Sequence, residues 1–380
     1  MVSITKLYCG AKESFDEVRY GTPPDKRKPV VVWNITKSCN LFCKHCYANA
    51  EPGQNEESII DTKEAKEIIE DFASFGVPVI LFSGGEPLLR HDIFELLKHA
   101  KMLGLRTVLS TNGTLITKKV AEQLAESGIS YVGVSLDGVG DVNDLFRGRL
   151  GAFDEAKEGI RNCKEAKIKI GIRFTITKEN YHHIPEIFDF FEDEDIDRLC
   201  FYHLVYSGRA KSLMDLDLDH ETRRRVLDYI IERTKAIYAK NRRVEVLTVD
   251  NHADGPYVYL KLLREDPKRA KEVYQFLLKN GGNLSGIGIV SIDERGDVHP
   301  DQFWKDYTLG NLKERSLGSI LSNDGLIKAL RNKKSFLTGR CARCRFIDIC
   351  GGNFRVRAYA KTSDLWAPDP QCYLTDEEIS

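Results

Sequence analysis

The sequence predicts an α/β fold in which six βα units form an open, partial barrel, followed by a smaller C-terminal domain. Strand and helix patterns alternate from residue 29 to about residue 206, and six units are too few to close an eight-stranded barrel. The helical crossovers indicate that neighbouring strands run parallel. Beyond residue 206 the pattern becomes rich in charge and mostly helical, and a second group of cysteines lies near the end of the chain.

Short apolar runs predict the strands of the barrel, and helical periodicity fills the intervals between them. The predicted strands span residues 29–35, 77–82, 107–110, 131–136, 169–177 and 198–205. The clearest predicted helices span residues 61–75, 93–103 and 118–127.

These patterns divide the chain into four parts. They are an N-terminal segment at 1–28, the barrel at 29–206, a helical bridging segment at 207–280, and an auxiliary domain at 281–380. The auxiliary domain begins with a small hairpin, predicted from the apolar run 287–292, the turn Gly296-Asp297 and Val298.

Three cysteines follow the first predicted strand with the spacing Cys39-x3-Cys43-x2-Cys46. Three thiolates on a cube of four irons leave the fourth iron without a protein ligand, so that it can bind a small molecule. A zinc site would need a fourth protein ligand, and His45, between the last two cysteines, is poorly placed to supply it. Ordinary thiols are the remaining alternative.

The second predicted strand ends in Ser83 and the run Gly84-Gly85-Glu86-Pro87. Two adjacent glycines allow the backbone to approach a ligand closely, and we expect them to offer free N–H groups. Because this run lies one βα unit after the cysteines, both loops belong at the C-terminal ends of neighbouring strands, where such barrels place active sites.

At these residues the chain resembles the radical S-adenosylmethionine enzymes. The resemblance implies that Cys39, Cys43 and Cys46 hold a 4Fe–4S cluster whose open iron binds S-adenosylmethionine. The reduced cluster then cleaves that cofactor to a 5′-deoxyadenosyl radical, which abstracts a hydrogen atom from the substrate. The residues implied in binding the cofactor are Gly84, Gly85 and Glu86 at its amino group, Pro87 beside them, and Asn112, Ser135 and Asp137 at its ribose or carboxylate. Asp137-Gly138 is equally typical of a simple turn.

Four further cysteines, Cys341, Cys344, Cys350 and Cys372, lie in the auxiliary domain. Four thiolates suffice for a second cluster or for zinc, and the spacing alone does not separate the two. The arrangement resembles the C-terminal SPASM domain of many radical enzymes, which implies an auxiliary 4Fe–4S cluster. Cys163, in a predicted helix, and Cys200, in a predicted strand, are expected to be buried structural thiols.

Composition narrows the cellular setting. The positive charges of 56 lysines and arginines almost cancel the negative charges of 57 aspartates and glutamates. The protein therefore has no large net positive charge that would attract nucleic acid. No run of eighteen apolar residues predicts a membrane span, and the N-terminus lacks a signal pattern. Ten cysteines without such a signal favour ligation over disulfides, and hence a cytoplasmic protein.

Several longer stretches resemble the radical enzymes of haem d1 synthesis and of the siroheme-dependent haem pathway. The stretches are 203–209, 251–255, 281–286, 299–304 and 366–373. The resemblance implies an iron tetrapyrrole substrate and an unidentified low-potential electron donor. It favours removal of two ring acetates from 12,18-didecarboxysiroheme to give iron-coproporphyrin III. The alternatives are replacement of two propionates by oxo groups in haem d1 synthesis, maturation of a ribosomal peptide, and simple iron–sulfur electron transfer.

A flat iron macrocycle with a rim of carboxylates needs apolar walls, arginines and a histidine for iron. His299, beside the hairpin and near Asp301, is the first candidate, with His203 and Arg147 as the other predicted catalytic residues. The remaining candidates of these types are His252, Arg149, Arg173, Arg209, Arg355 and Arg357.

Overall fold

One sheet forms the frame of the protein in its computed structural model, which describes residues 1–11, 17–54 and 60–380. Within these ranges the sheet has eleven strands, in the spatial order β1-β8-β7-β6-β5-β4-β3-β2-β9-β10-β11. The strands are β1 (Val2–Ser3), β2 (Val30–Asn34), β3 (Val79–Ser83), β4 (Arg106–Thr111), β5 (Tyr131–Ser135), β6 (Ile170–Ile176), β7 (Arg198–His203), β8 (Glu245–Val249), β9 (Ile289–Ile292), β10 (Asp297–His299) and β11 (Gly310–Asn311).

The six strands predicted for the barrel are all present as β2 to β7, and each pairs in parallel with its neighbour. The partial barrel is therefore confirmed. Parallel strands need a crossover between them, and helices supply most of these crossovers. The pairing brings the C-terminal ends of β2 to β7 to one end of the barrel, where the cysteine and glycine loops meet.

Two further strands extend the parallel sheet beyond the six predicted. The first, β8, pairs in parallel with β7 and lies inside the segment predicted to be helical. Its run is only five residues long and begins with Glu245, so it gives little periodic signal, yet all five residues are buried. The second, β9, pairs in parallel with β2, so the predicted C-terminal hairpin continues the sheet of the barrel.

The helices cover the outer face of the sheet and build most of the C-terminal part. They are α1 (Ile4–Leu7), α2 (Thr62–Phe75), α3 (Ile93–Met102), α4 (Lys118–Glu126), α5 (Asp141–Arg147), α6 (Ala152–Glu165), α7 (Ile184–Asp193), α8 (His220–Ala239), α9 (Asp254–Glu265), α10 (Pro267–Asn280), α11 (Leu317–Asn323), α12 (Gly325–Arg331), α13 (Gly339–Ala342), α14 (Ile347–Cys350), α15 (Arg355–Thr362) and α16 (Asp376–Ile379).

Helix α2 shows how local sequence fixes an element. Asp61 accepts a hydrogen bond from the Glu64 backbone, and the Glu64 side chain accepts one from the Asp61 backbone, which is a capping box. Gly76 ends the helix with φ of 86°. The buried face of α2 meets the sheet, where Phe72 packs edge-on against Trp33 of β2 at 5.8 Å. Burial of such a side chain contributes about 1.5–3 kcal/mol.

The N-terminal segment adds to the other edge of the sheet, because β1 pairs antiparallel with β8. Residues 12–16 of that predicted segment lie outside the described residues. The domain boundaries at 28, 206 and 280 stay predictions. In the part of the chain that the structure describes, no helix is both long and apolar enough to cross a lipid bilayer.

Candidate active site

A cavity of about 680 Å³ lies inside the barrel. Its lining extends from Val30, where β2 starts, to Asn112 and Ser135 at the C-terminal ends of β4 and β5. The cavity therefore follows the length of the barrel interior. This volume is within the range of about 300–1,000 Å³ that is usual for small-molecule sites.

The first cysteine triad lines this cavity, as the predicted position of its loop requires. Cys39 and Cys43 are 8% and 9% exposed and pack together with Cys46 and Leu41. Burial raises the pKa of the Cys39 thiol to about 12. A buried thiol resists ionisation when no cation is near. It becomes a thiolate when a bound cation compensates its negative charge. This donor set fits an iron–sulfur cluster.

Two N–H donors from other parts of the barrel lie near these sulfur atoms. Arg147 Nη1 lies 3.7 Å from Cys43 Sγ, and Asn112 Nδ2 lies 3.9 Å from Cys39 Sγ. Hydrogen bonds to cluster sulfurs are one of the factors that set a reduction potential. The structure thus places Arg147 against a cysteine, whereas its predicted role is contact with substrate. The reason is helix α5, which ends at Arg147 and returns the chain to the cysteine loop, where Phe42 N donates to Arg147 O at 3.1 Å.

Asp137 holds Arg147 in place. Its Oδ2 lies 2.6 Å from Arg147 Nη2 and 3.3 Å from His45 Nε2, and its Oδ1 accepts a hydrogen bond from Thr175 N at 2.9 Å. The side chain is fully buried and does not line the cavity, so it is not where the predicted contact with ribose requires it. Burial lowers the pKa of His45 to about 4, so this ring is neutral near pH 7.

The two glycines press against the backbone that leads into the cysteines. A Cβ on Gly84 would lie 2.5 Å from Thr36 O, and a Cβ on Gly85 would lie 2.0 Å from Ser38 O. The N–H group of Gly85 is not free as expected, because it donates to Thr36 O at 2.7 Å. The N–H group of Glu86 donates in the same way to Ser38 O at 2.8 Å. Both glycines line the cavity. Their carbonyl oxygens are the groups suited to accept hydrogen bonds from an amino group.

Glu86 joins two loops and does not line the cavity. Its carboxylate accepts hydrogen bonds from Thr111 Oγ1 and Asn112 N, both at 2.8 Å, and from Leu88 N at 3.1 Å. Full burial raises its pKa to about 7. Pro87 starts a 3₁₀ turn and is also buried. The predicted contact of Glu86 with an amino group is therefore replaced by a positioning role, in which it fixes Asn112 beside the cysteines.

Ser135 and Arg173 are neighbours on paired strands and both line the cavity. Arg173 Nη1 donates to Ser110 Oγ. Within the described residues, Arg173 makes no ion pair with a carboxylate. Tyr202 and Tyr131 are its neighbours in the barrel. An unpaired guanidinium beside a hydroxyl is suited to bind a carboxylate.

Of the three histidine candidates, the structure places two in structural contacts. His203 lines the cavity, but its Nε2 lies 2.9 Å from Asp254 Oδ2 and its Nδ1 accepts from Arg223, so both nitrogens are engaged. His299 does not line the cavity, because its Nδ1 donates to the Tyr307 carbonyl at 2.9 Å across the hairpin. Neither position supports the predicted catalytic role.

The third histidine, His252, lines the cavity and is 8% exposed. It lies between β8 and α9, in a loop that also carries Asp250. Sequence reasoning missed Asp250, although it immediately precedes a stretch singled out for its resemblance. Burial raises the pKa of Asp250 to about 7, and its carboxylate also lines the cavity.

The other candidate arginines mainly bind protein groups. Arg209 donates to the carbonyls of Cys43 and Ala50, at 2.9 and 2.8 Å, and so holds the cysteine loop. Arg355 donates to the carbonyls of Leu365, Ala367 and Gly352, Arg357 binds Asp369, and Arg149 binds Glu155. Sequence position alone did not separate these roles.

The second cysteine group also comes together. The pKa of the Cys350 thiol is raised well above its usual value by burial and then by the neighbouring Cys372, Cys341 and Cys344. Gly282 lies against the backbone of Cys350, where a Cβ would be 2.2 Å from its carbonyl carbon. Four buried or half-buried thiols fit a second cluster. Within the described ranges, no three His, Cys, Asp or Glu side chains are grouped as they would be around a single metal ion.

Cys163 and Cys200 are buried and lie outside both groups, as predicted for structural thiols.

Comparison with known families gives two matches. Residues 33–191 match the radical SAM superfamily, and residues 286–345 match the SPASM iron–sulfur cluster-binding domain. The first match contains the cysteine triad and the glycine run. The second contains the hairpin, Cys341 and Cys344.

Relatives of known function extend this similarity over the whole chain. The chain is 52% identical to the Fe-coproporphyrin III synthase of Methanosarcina barkeri, over 100% of this chain and 99% of that protein. It is 41% identical to the pre-heme d1 synthase of Dinoroseobacter shibae, over 96% of this chain and 91% of that protein. Among solved structures, Streptococcus suis SuiB bound to precursor peptide SuiA has a TM-score of 0.71 at 23% identity, covering 94% of this chain and 78% of that one. That last likeness concerns the fold alone.

Proposed function

Because this chain belongs to the radical SAM superfamily, in the group of SPASM-bearing enzymes of haem biosynthesis, we propose that it removes two ring acetates from 12,18-didecarboxysiroheme. The product is iron-coproporphyrin III, with methyl groups left where the acetates were. The observation that carries the proposal is the 52% identity to an Fe-coproporphyrin III synthase over the full length of both chains.

The enzyme uses S-adenosylmethionine, a 4Fe–4S cluster and an auxiliary iron–sulfur site. Cys39, Cys43 and Cys46 would hold the first cluster, and the four C-terminal cysteines the auxiliary one. When bound, cluster and cofactor supply radical chemistry that abstracts a hydrogen atom from substrate. The carbonyls of Gly84 and Gly85 would accept hydrogen bonds from the cofactor's amino group. Arg173 and Ser135 would bind its carboxylate, since this guanidinium has no acidic partner among the described residues.

The remaining cavity suits a flat macrocycle. Phe303 and Phe354 supply aromatic walls, and Lys26 and Lys28 line the end of the cavity where strands begin. Aromatic faces pack against an apolar plate, and lysines attract the carboxylates on its rim.

Further elements of the proposal concern the cellular setting. A low-potential electron donor would reduce the first cluster, and the auxiliary cluster would serve as an electron relay or contact the substrate. The reaction takes place in the cytoplasm.

The second candidate is the reaction of haem d1 synthesis, in which two propionates are replaced by oxo groups. The 41% identity to a pre-heme d1 synthase favours this candidate. Both reactions change side chains on the rim of a tetrapyrrole, so the proposed cavity serves either, and the side chains that react differ.

Product analysis tests the proposal. The protein is reconstituted anaerobically with iron and sulfide, reduced with dithionite, and given S-adenosylmethionine with 12,18-didecarboxysiroheme. Mass spectrometry is expected to show loss of two acetate groups together with 5′-deoxyadenosine. Oxidised propionate positions would support the haem d1 reaction instead. Cleavage of S-adenosylmethionine with the macrocycle unchanged would reject both.

A further inference from the structure

The loop that carries His252 is held from both sides. His252 N donates to Asn353 Oδ1 at 2.6 Å, and Asn353 Nδ2 donates to Asn251 Oδ1 at 2.8 Å. Arg357 Nη2 donates to the Asp250 carbonyl at 2.8 Å. Asp250 itself has φ of 66°, which turns the chain sharply at the end of β8. The ring of His252 is therefore presented from a rigid loop.

The protein engages both ring nitrogens of His203, one ring nitrogen of His45 and neither of His252. His203 is held between Arg223 and Asp254, and His45 contacts Asp137 through Nε2 while its Nδ1 has no partner in the described residues. In the described part of the chain, no hydrogen bond or ion pair engages either ring nitrogen of His252, although the ring is 8% exposed and lines the cavity. With no protein partner and with the ring against the cavity, these nitrogens are free to bind a molecule held there.

An aromatic wall leads from the first cysteine group to this histidine. Tyr47, which follows Cys46, packs edge-on against Phe303 at 5.2 Å, and Phe303 packs edge-on against Phe354 at 5.6 Å. The His252 ring lies parallel to Phe354, with 5° between the planes and 6.4 Å between the centroids. All four rings line the cavity. One side of the cavity is thus a largely apolar, aromatic surface, and the imidazole of His252 lies at one end of it.

We propose that His252 is the axial ligand of the iron at the centre of the tetrapyrrole substrate. The proposal rests on the proposed function, and it adds the group that distinguishes an iron macrocycle from a metal-free one. Iron binds imidazole nitrogen readily. Ligation of the central iron would fix the position of the macrocycle. The side chains to be removed from its rim would then lie at a fixed distance from the cofactor.

The state of the ring suits this role. A histidine binds a metal through a neutral imidazole, and burial keeps the pKa of His252 well below its usual value. The neighbouring charges of Lys333 and Arg357 act in the same direction. No proton has to leave before iron binds.

Spectroscopy of bound iron-coproporphyrin III tests the inference without turnover. The protein carrying both clusters is titrated anaerobically with this probe and, in parallel, with metal-free coproporphyrin III. For His252→Ala we expect the histidine-ligated iron spectrum to disappear and affinity for the iron probe to fall by about tenfold or more. Affinity for the metal-free probe should change little. His182→Ala, at an exposed histidine, is the matched control and should bind both probes as the wild type does.

Two further measurements keep the test independent of a folding defect. In His252→Gly, added imidazole should restore the iron spectrum, because it occupies the space of the lost ring. In wild-type protein labelled with nitrogen-15 histidine, pulsed electron paramagnetic resonance should show coupling between the probe's iron and one labelled nitrogen.

The outcomes separate the two proposals. If the wild type binds the iron probe and His252→Ala shows the same spectrum and affinity, the ligand role is wrong and the proposed function stands. Absence of nitrogen-15 coupling in the bound wild type leads to the same conclusion. If the wild type binds neither probe, the tetrapyrrole function itself fails, and the ligand role with it.

Discussion

Asp250 shows how burial in the folded protein can shift the pKa of one ionisable group. Its side chain is 8% exposed, and its Oδ2 is a buried atom without a hydrogen-bond partner in the described residues. Burial is the largest effect on its pKa, which rises from 3.8 to about 7, and the charge of Asp301 acts in the same direction. The charges of Met1 and Arg357 oppose the rise without cancelling it. Asp250 is therefore a carboxyl group that folding forces towards its neutral form.

This shift has a defined effect on stability. Between pH 3.8 and about 7 the folded protein keeps a proton that the unfolded chain releases, so the contribution of Asp250 to stability falls as pH rises through this window. In Asp250→Asn this loss is absent, and asparagine tolerates the left-handed backbone at this position. The free energy of unfolding of the variant, relative to that of wild type, should therefore rise by about 1.4 kcal/mol between pH 6 and pH 8.

Thermal unfolding of the anaerobic, cluster-loaded proteins at these two pH values measures the difference, with Asp215→Asn at an exposed carboxylate as the control. An equal melting temperature difference at both pH values would show that Asp250 does not titrate as described.

At the level of secondary-structure elements, the site depends on the contact between the cysteine loop after β2 and the glycine loop after β3. The two strands pair in register, with Asn34 opposite Ser83, so their following loops start side by side. The backbone of Gly85 then lies directly on Ser38, immediately before Cys39. Only a residue without a side chain permits this approach.

Gly85→Ala should displace the cysteine loop, because its Cβ would lie 2.0 Å from Ser38 O and 2.6 Å from Ser38 C. We expect anaerobic reconstitution to yield about four irons fewer per chain, since the first cluster is lost and the auxiliary one is kept. Gly325→Ala is the matched control, since a Cβ there has no neighbour within 4 Å. Iron content equal to wild type in Gly85→Ala would contradict the packing described.

On the scale of the whole molecule, Arg357 connects the C-terminal part to the loops that follow β7 and β8. Arg357 and Asp369 are both inaccessible to solvent and lie 2.9 Å apart. Arg357 also donates to Leu204 O after β7, at 2.9 Å, and to Asp250 O after β8, at 2.8 Å. Through these bonds the auxiliary part fixes the loops that border the cavity, in addition to the strand pairing of β9 with β2.

Arg357→Met should destabilise the protein by about 3–5 kcal/mol, because it leaves Asp369 buried without its counter-charge. Asp369→Asn in the same chain should recover part of this loss, since the uncompensated charge is removed. Arg343→Met, at an arginine whose side chain is 71% exposed, should change stability by no more than about 0.5 kcal/mol. Denaturant unfolding of the four proteins provides the comparison, and equal stability of Arg357→Met and Arg343→Met would refute the role of the pair.

The sequence by itself determined the partial barrel, its strands β2 to β7 and the two cysteine groups. These features are local, because strand periodicity and ligand spacing are properties of neighbouring residues. Only the tertiary structure decided that His252 faces the cavity while His203 and His299 are engaged elsewhere, and that Arg147 and Asp137 serve the cysteines. These roles depend on contacts between residues far apart in the chain, such as Asp254 with His203 or Asp137 with His45. No periodicity or spacing records such contacts, because they arise only when the strands pair and the loops pack.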